Sequence, residues 1–255
     1  MEKFQNITDF SLQSVSIAAL GETDGYEIKQ MINTFSYVES ITSPFVAATM
    51  SVADSAGLLA DLPIQGGETV KIVVDTSSIE EPQEYVMQVW KVGNRYAKNQ
   101  TQAFTLGLVS VEALNNECIR LAKPISGKSE EVIQKILVED LKSQKTFNTT
   151  LNDISSPTRF KVKMLPTNRR PFDVISSLSV KSVRVKGSGT TVSGSSKSDT
   201  PKIGGSAGYF FWENKRGFNF FAVDDLLKED ADSTWGPYIE KPANQSDGAD
   251  DRVTI

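Results

Sequence analysis

Ser43-Pro44-Phe45-Val46-Ala47-Ala48-Thr49-Met50-Ser51-Val52-Ala53-Asp54-Ser55, continuing through Gly57-Leu58-Leu59 and Leu62-Pro63-Ile64 to Gly66-Gly67-Glu68, is the stretch that decides the fold. Ser43-Pro44 favours a turn, Phe45 to Val52 is a strand candidate, and Leu58, Leu59 and Leu62 suit a short helical turn over Ala56 to Leu62. Gly66-Gly67 then punctuates the chain before the next apolar run. Working outward, the same pattern recurs. Around Leu12-Gln13-Ser14-Val15-Ser16-Ile17 apolar and polar residues roughly alternate, as on a strand with one face buried, and Phe35 to Ile41 is a further candidate. Downstream come Val70 to Val74, Tyr85 to Val92 and Phe104 to Val111, divided by Glu81-Pro82 and Gly93-Asn94. Several short strands with turn signals between them predict a barrel or sandwich to about residue 113.

From 114 to 180 the period changes. Val132, Ile133, Ile136, Leu137 and Leu141 recur at helical spacing behind Ser129-Glu130-Glu131, with Ser129 as the expected cap and the acids in the first turn. A second helix is predicted from Pro171, burying Phe172, Ile175 and Leu178. Two strands beside these helices alternate in an unusual way. Arg159, Lys161 and Lys163 alternate with Phe160, Val162 and Met164, and Arg184 and Lys186 alternate with Val183 and Val185, so each strand has one apolar and one basic face. Either face is ordinary solvated surface, or it matches an acidic partner. Gly187 to Ser206, rich in Gly, Ser and Thr, reads as a flexible loop. Tyr209-Phe210-Phe211-Trp212, Asn214-Lys215-Arg216-Gly217 and Phe218-Asn219-Phe220-Phe221 form a hairpin signature, and Arg252 to Ile255 looks like a strand just starting.

Composition excludes much. The 255 residues contain no His and one Cys, Cys118, which removes His-based triads, imidazole metal sites, disulfide frameworks and multi-cysteine zinc sites. No cofactor is expected. The start lacks the order of a signal peptide, and no apolar run approaches membrane-spanning length, so a soluble protein made in the cytosol is expected. The net charge of −5 is uneven: residues 224–255 carry −6, whereas 158–202 carry +8. Such polarity favours charged interfaces over general or sequence-specific nucleic-acid binding.

Three motifs invite chemistry. Ala122-Lys123-Pro124-Ile125-Ser126-Gly127-Lys128-Ser129 fits a relaxed phosphate-binding loop, but no strand–helix alternation supports the parallel sheet such a loop needs, and a turn starting a helix is preferred. Asp224-Asp225 and Asp250-Asp251 are adjacent acids, while glycoside hydrolysis requires two carboxylates across a cleft. The aromatic hairpin could stack on bases or sugars, and a core or subunit interface explains it with fewer assumptions.

The block from Ser43 to Glu68 resembles baseplate hub proteins of contractile-tailed bacteriophages and is similar to the N-terminal region of VgrG spike proteins of type VI secretion. The helix after Gly127, the Pro171-Phe172-Asp173-Val174-Ile175 helix and Gly208-Tyr209-Phe210-Phe211-Trp212-Glu213 with Gly217-Phe218-Asn219-Phe220 extend the resemblance over most of residues 10–228. It implies a β-rich α+β fold: a first tube-type β-barrel over 1–113, a helix-containing middle region over 114–186, the loop over 187–206, and the start of a second barrel over 207–255 that these residues do not complete, so that the chain reads as truncated. It also implies a non-enzymatic structural role, adapting a hexameric tail tube to a trimeric central spike. The expected partners are two further copies of the full-length protein in a trimer, the spike protein, the tail tube protein and other baseplate proteins, with no membrane partner. The expected place is the virion tail baseplate, assembled in the bacterial cytoplasm. Arg159, Lys161, Lys163, Arg184, Tyr209, Phe211, Phe218 and Phe220 are the expected subunit or partner interface. The alternatives are the hub region of a type VI spike protein and a carbohydrate- or nucleotide-binding domain.

Overall fold

β1 (Phe10–Ala18), β2 (Tyr26–Glu27), β3 (Ile32–Val38), β4 (Ala47–Asp54), β5 (Thr69–Thr76), β6 (Gln83–Lys98) and β7 (Thr101–Val109) form one antiparallel sheet in the order β2-β1-β5-β6-β7-β4-β3. The computed structural model describes residues 10–22, 25–55, 57–58, 62–76, 81–98, 101–151, 154–185 and 208–226. Period-two burial builds the first core: Met50 and Val52, Val70 and Ile72, Met87 and Val89, and Phe104, Leu106 and Leu108 all point inward. The sheet curls because one segment serves both of its ends. Tyr26 and Glu27 pair with β1, the Ile28 amide donates to the Val15 carbonyl (2.7 Å), and after a 3-10 turn at Lys29–Met31 the chain continues as β3 against β4.

The block from Ser43 to Glu68 uses two buried carboxylates to hold its turns. Asp54 is buried, and its carboxylate accepts the Gly57 amide (2.8 Å), turning the chain out of β4. Leu58 and Leu62 are buried in the first core, and the Leu62 amide donates to the Leu58 carbonyl, one helical turn; residues 56 and 59–61 of the expected Ala56–Leu62 helix lie outside the described residues. Glu68, also buried, accepts the amides of Gln65 (2.6 Å) and Gly66 (2.9 Å), and Gly66 and Gly67 have φ of 113° and 94°, a region other residues avoid.

Two sequence expectations in this region are corrected. Gly93-Asn94 is not a turn: β6 runs through it, with Asn94 at φ 49° and a register shift between Gly93 and Tyr96, so the glycine and asparagine supply a bulge inside a long strand. Val111 does not close the last strand. Ser110 is extended and opens α1 (Val111–Cys118), which turns Ala113 inward.

Beyond α1 the chain forms β8 (Ile125–Lys128), α2 (Ser129–Lys135) with a π turn over Ile136–Asp140, β9 (Phe147–Asn148), β10 (Thr150–Leu151), β11 (Ile154–Ser155), β12 (Lys161–Met164), α3 (Pro171–Lys181), β13 (Tyr209–Asn214), β14 (Gly217–Ala222) and α4 (Val223–Leu226). β12 pairs with β8, and β13 pairs with β14, which carries β9 in parallel on its far side. Both predicted helices are present, and Ile133, Leu137, Leu141, Phe172, Ile175 and Leu178 meet in a second core. Val109 and the half-buried Phe45 and Ala47 reach that core from the outer side of the curled sheet. Ser129 is not the cap of α2. The Glu131 carboxylate accepts the Lys128 amide (3.1 Å), while Ser129 is buried with its hydroxyl 2.7 Å from that of Ser182. The expected loop over 187–206, the Lys186 position, the strand at Arg252–Ile255 and the greater part of the expected second barrel lie outside the described residues.

Candidate functional site

The curled sheet and the aromatic hairpin are held together by a cluster of charges at their seam. Glu213 is the third inward residue of β13, after Tyr209 and Phe211, so the alternation of the strand carries a carboxylate into the interior. Its side chain is only 1% exposed, one oxygen accepts the Val46 amide (3.0 Å) from the start of β4, and the other receives a very short hydrogen bond from the Lys145 amine. Lys145 also donates to Glu112 of α1 (2.7 Å), which accepts the Ser143 hydroxyl (2.6 Å). One amine thus ties α1, β13 and, through Glu213, β4. Burial pushes the Glu213 carboxyl above the usual carboxylate range despite the pull of Lys145. Burial also works against the Lys145 charge, but the two carboxylates outweigh it and the amine is held above its ordinary value.

A second set of contacts docks the hairpin tip. The Lys215 amide donates to Glu39 (2.7 Å), its amine donates to Gln83 and lies 4.5 Å from the centre of the Tyr85 ring, and the Tyr37 hydroxyl donates to the same Glu39 oxygen (2.9 Å). Tyr37 packs on Tyr85 at 4.8 Å, and burial followed by the Glu39 carboxylate pushes its hydroxyl far above the usual phenol value. Between the two sets of contacts lies a cleft of about 140 Å³ lined by Tyr37, Val46, Tyr85, Lys145 and Glu213. Small-molecule sites commonly occupy roughly 300–1,000 Å³, so this cleft has the scale of a hydrated seam.

The expected interface residues divide. Arg159, Lys161 and Lys163 are exposed, with Val162 and Met164 turned towards the second core. Phe160 departs from the expected alternation: β12 begins only at Lys161, and the ring is 57% exposed beneath the Arg159 guanidinium. Arg184 is not a surface cation. It lies in an isolated bridge with Thr158, and its guanidinium pairs with buried Asp225 (2.6 Å). The four aromatics are a correction too. Tyr209, Phe211, Phe218 and Phe220 are buried within this chain, with Phe211 stacked on Phe218 (5.5 Å) and Tyr209 on Phe220 (4.5 Å), because α2 and α3 already cover the hairpin face that presents them.

Gly127-Lys128-Ser129 is the end of β8 passing into a seven-residue helix, with Gly127 and Lys128 paired to Val162 and Lys161, and it forms no phosphate cradle. Asp225 is engaged by Ser156 and Arg184. Among the described residues no group of three His, Cys, Asp or Glu is placed to hold a metal, and no helix is long and apolar enough to cross a membrane. The Lys145 cluster was missed in the sequence. Its readable signal was Glu213, a charge at an inward position of an aromatic strand, which demands a buried partner.

No protein-family model matches the chain, and no curated protein does. Solved structures resemble it at low identity. A prophage tail protein, gp18, from Listeria monocytogenes is 11% identical, with a TM-score of 0.49 over 91% of this chain and 56% of its own. A tail protein from Neisseria meningitidis MC58 is 10% identical, with a TM-score of 0.47 over 81% of this chain and 49% of its own. The E. coli c3393 protein, described as a component of the type VI secretion system with structural similarity to the T4 tail proteins gp27 and gp5, is 12% identical, with a TM-score of 0.45 over 87% of this chain and 51% of its own. The chain spans about half the length of these structures.

Proposed function

We propose that this chain is a structural, non-enzymatic part of a contractile-tail baseplate hub, working between the tail tube and the central spike. The observation that carries the reading is the Ser43–Glu68 block, on which the sequence resemblance rests. It lies in the wall of the curled sheet, with β4 paired on both sides and Asp54 and Glu68 buried as backbone caps, so that it serves the architecture of the sheet. The charge cluster supports the same role. A part that transmits force between rings needs its units fixed to each other, and Lys145, Glu112, Glu213, Glu39 and Lys215 fix the hairpin to the sheet at two separate points.

In this proposal three copies of the full-length protein form a ring, so that repeated barrels face a hexameric tube while the threefold axis faces a trimeric spike. The ring sits in the virion baseplate after assembly in the host cytoplasm. Immunogold electron microscopy of purified tails tests it. Label confined to the junction of tube and spike, with threefold averages, is expected. Label along the tube or on fibres, or tails without label, would overturn the assignment.

A further inference from the structure

β8 and β12 form a two-stranded sheet whose inner face, Ile125 with Val162 and Met164, packs against the second core. Its outer face is cationic. Lys161 and Lys163 stand there exposed, with the half-buried Lys128 and exposed Ser126 opposite them, and exposed Arg159 precedes them two positions earlier. The Arg159 amide donates to the Val183 carbonyl (2.8 Å), so the backbone at this end of the row is already held and what the sheet offers is its face.

Two observations set this face apart from ordinary solvated surface. The register puts Lys161 directly opposite Lys128, and like charges so placed repel. The neighbouring acids, which could relieve that repulsion, are turned to other work: Glu130 accepts both the amide and the hydroxyl of Thr158, and Glu131 accepts the Lys128 amide (3.1 Å). Among the described residues none of Arg159, Lys161, Lys163 and Lys128 makes an ion pair.

We infer that the outer face of β8 and β12 binds an extended acidic segment of a different protein, one with carboxylates at alternate positions. Same-side residues of any extended chain recur every ~6.6–6.8 Å, so a carboxylate at every second residue meets the row Arg159, Lys161, Lys163 in step. Phe160 and Leu165, 57% and 61% exposed, bracket the row and give the flanks of such a segment apolar contacts. A nucleic acid fits less well. The Arg159 guanidinium lies 5.0 Å from the centre of the Phe160 ring and occupies a face that a base would stack on. The chain as a whole carries −5, so a polyanion running past the patch is repelled by the rest of the surface, whereas a short segment stays within a Debye length, about 8 Å, of the cations. This inference does not depend on the ring proposed above.

Fluorescence anisotropy on the full chain tests it, with two short fluorescein-labelled peptides of one composition: glutamate at every second position between terminal valines, or the glutamates contiguous. The alternating peptide should bind about ten-fold more tightly than the contiguous one, and the K161E/K163E variant should weaken it about ten-fold. K91E/R95E, an equal change of net charge on the first sheet, should leave binding unchanged. Binding should also fall as salt rises from about 0.05 M to about 0.5 M. No binding of the alternating peptide, equal binding of the two peptides, or equal loss in both variants would overturn the inference. Tighter binding of an oligothymidylate, lost in K161E/K163E, would overturn it in favour of nucleic acid. Sedimentation showing a dimer of the free chain that K161E/K163E abolishes would overturn it in favour of a second copy.

Discussion

Replacing Lys145 by methionine keeps the unbranched apolar stem, one atom shorter, and deletes the amine and its charge between Glu112 and Glu213. The two carboxylates are 5% and 1% exposed, so water cannot take the place of the amine without opening the seam. Removing one partner of a fully buried ion pair costs about 3–5 kcal/mol. Lys145 is itself 33% exposed, which screens part of its interaction, so about 2–3 kcal/mol is the expected loss near pH 7.5. The loss should depend on pH in a definite direction. Burial already holds the Glu213 carboxyl above its usual range, and the variant removes the cation that opposes this. The folded variant then binds a proton that the unfolded chain, with glutamates titrating near about 4.3, does not. Stability is fully present below that unfolded value and is lost as pH rises through the higher folded one. Urea unfolding followed by tryptophan fluorescence at about pH 5 and about pH 7.5 should show the smaller deficit in acid. The K145M/E112Q/E213Q variant should return to within about 1 kcal/mol of the parent, because no buried charge remains to be compensated. A K145M deficit below about 0.5 kcal/mol, or one equal at both pH values, would refute the reasoning.

Gly217→Ala should be the most damaging small substitution in the hairpin: its Cβ would stand 2.2 Å from the Thr146 carbonyl oxygen at a φ of 127°, and a loss of about 3 kcal/mol should lower the melting temperature by roughly 6–12 °C. Glu68→Ala should cost about 2–3 kcal/mol by orphaning the Gln65 and Gly66 amides, with faster hydrogen exchange in that loop as the local signature. Gly107→Ala should behave differently. The intruding atom meets the ring nitrogen of Trp90, a 54% exposed side chain free to swing aside, so stability should change by less than about 1 kcal/mol while the Trp90 emission shifts.

Much of the first sheet was legible because it rests on local, period-two chemistry. The six predicted strands from Leu12 to Val111 correspond to β1 and β3 to β7, and the helices after Ser129 and at Pro171 follow from apolar spacing. The failures arose where tertiary contacts set the outcome. β2 is two residues long and exists only because β1 lies beside it. Gly93-Asn94 has turn chemistry but is held in a strand by the β7 ladder. Arg184 looked like a surface cation because its partner Asp225 is 41 positions away in sequence, and the hairpin aromatics looked available because nothing local reveals the helices that cover them. The seam was least legible of all: Glu112, Lys145 and Glu213 are 33 and 68 residues apart along the chain.

The long sixth strand has a consequence for solubility. Past Val89 it outruns β5, and among the described residues its far side carries no neighbour from Trp90 to Lys98. Bare strand edges invite a second molecule to add on, then a third, and so begin fibres. Here the ladder slips twice, at Val89/Lys91 and at Gly93/Tyr96, and Lys91 and Arg95 stand exposed along the irregular stretch. A stacking copy would meet a bent hydrogen-bonding row and its own positive charge. The same irregularity that hid the far half of this strand from a turn-based reading makes it a poor template for self-association.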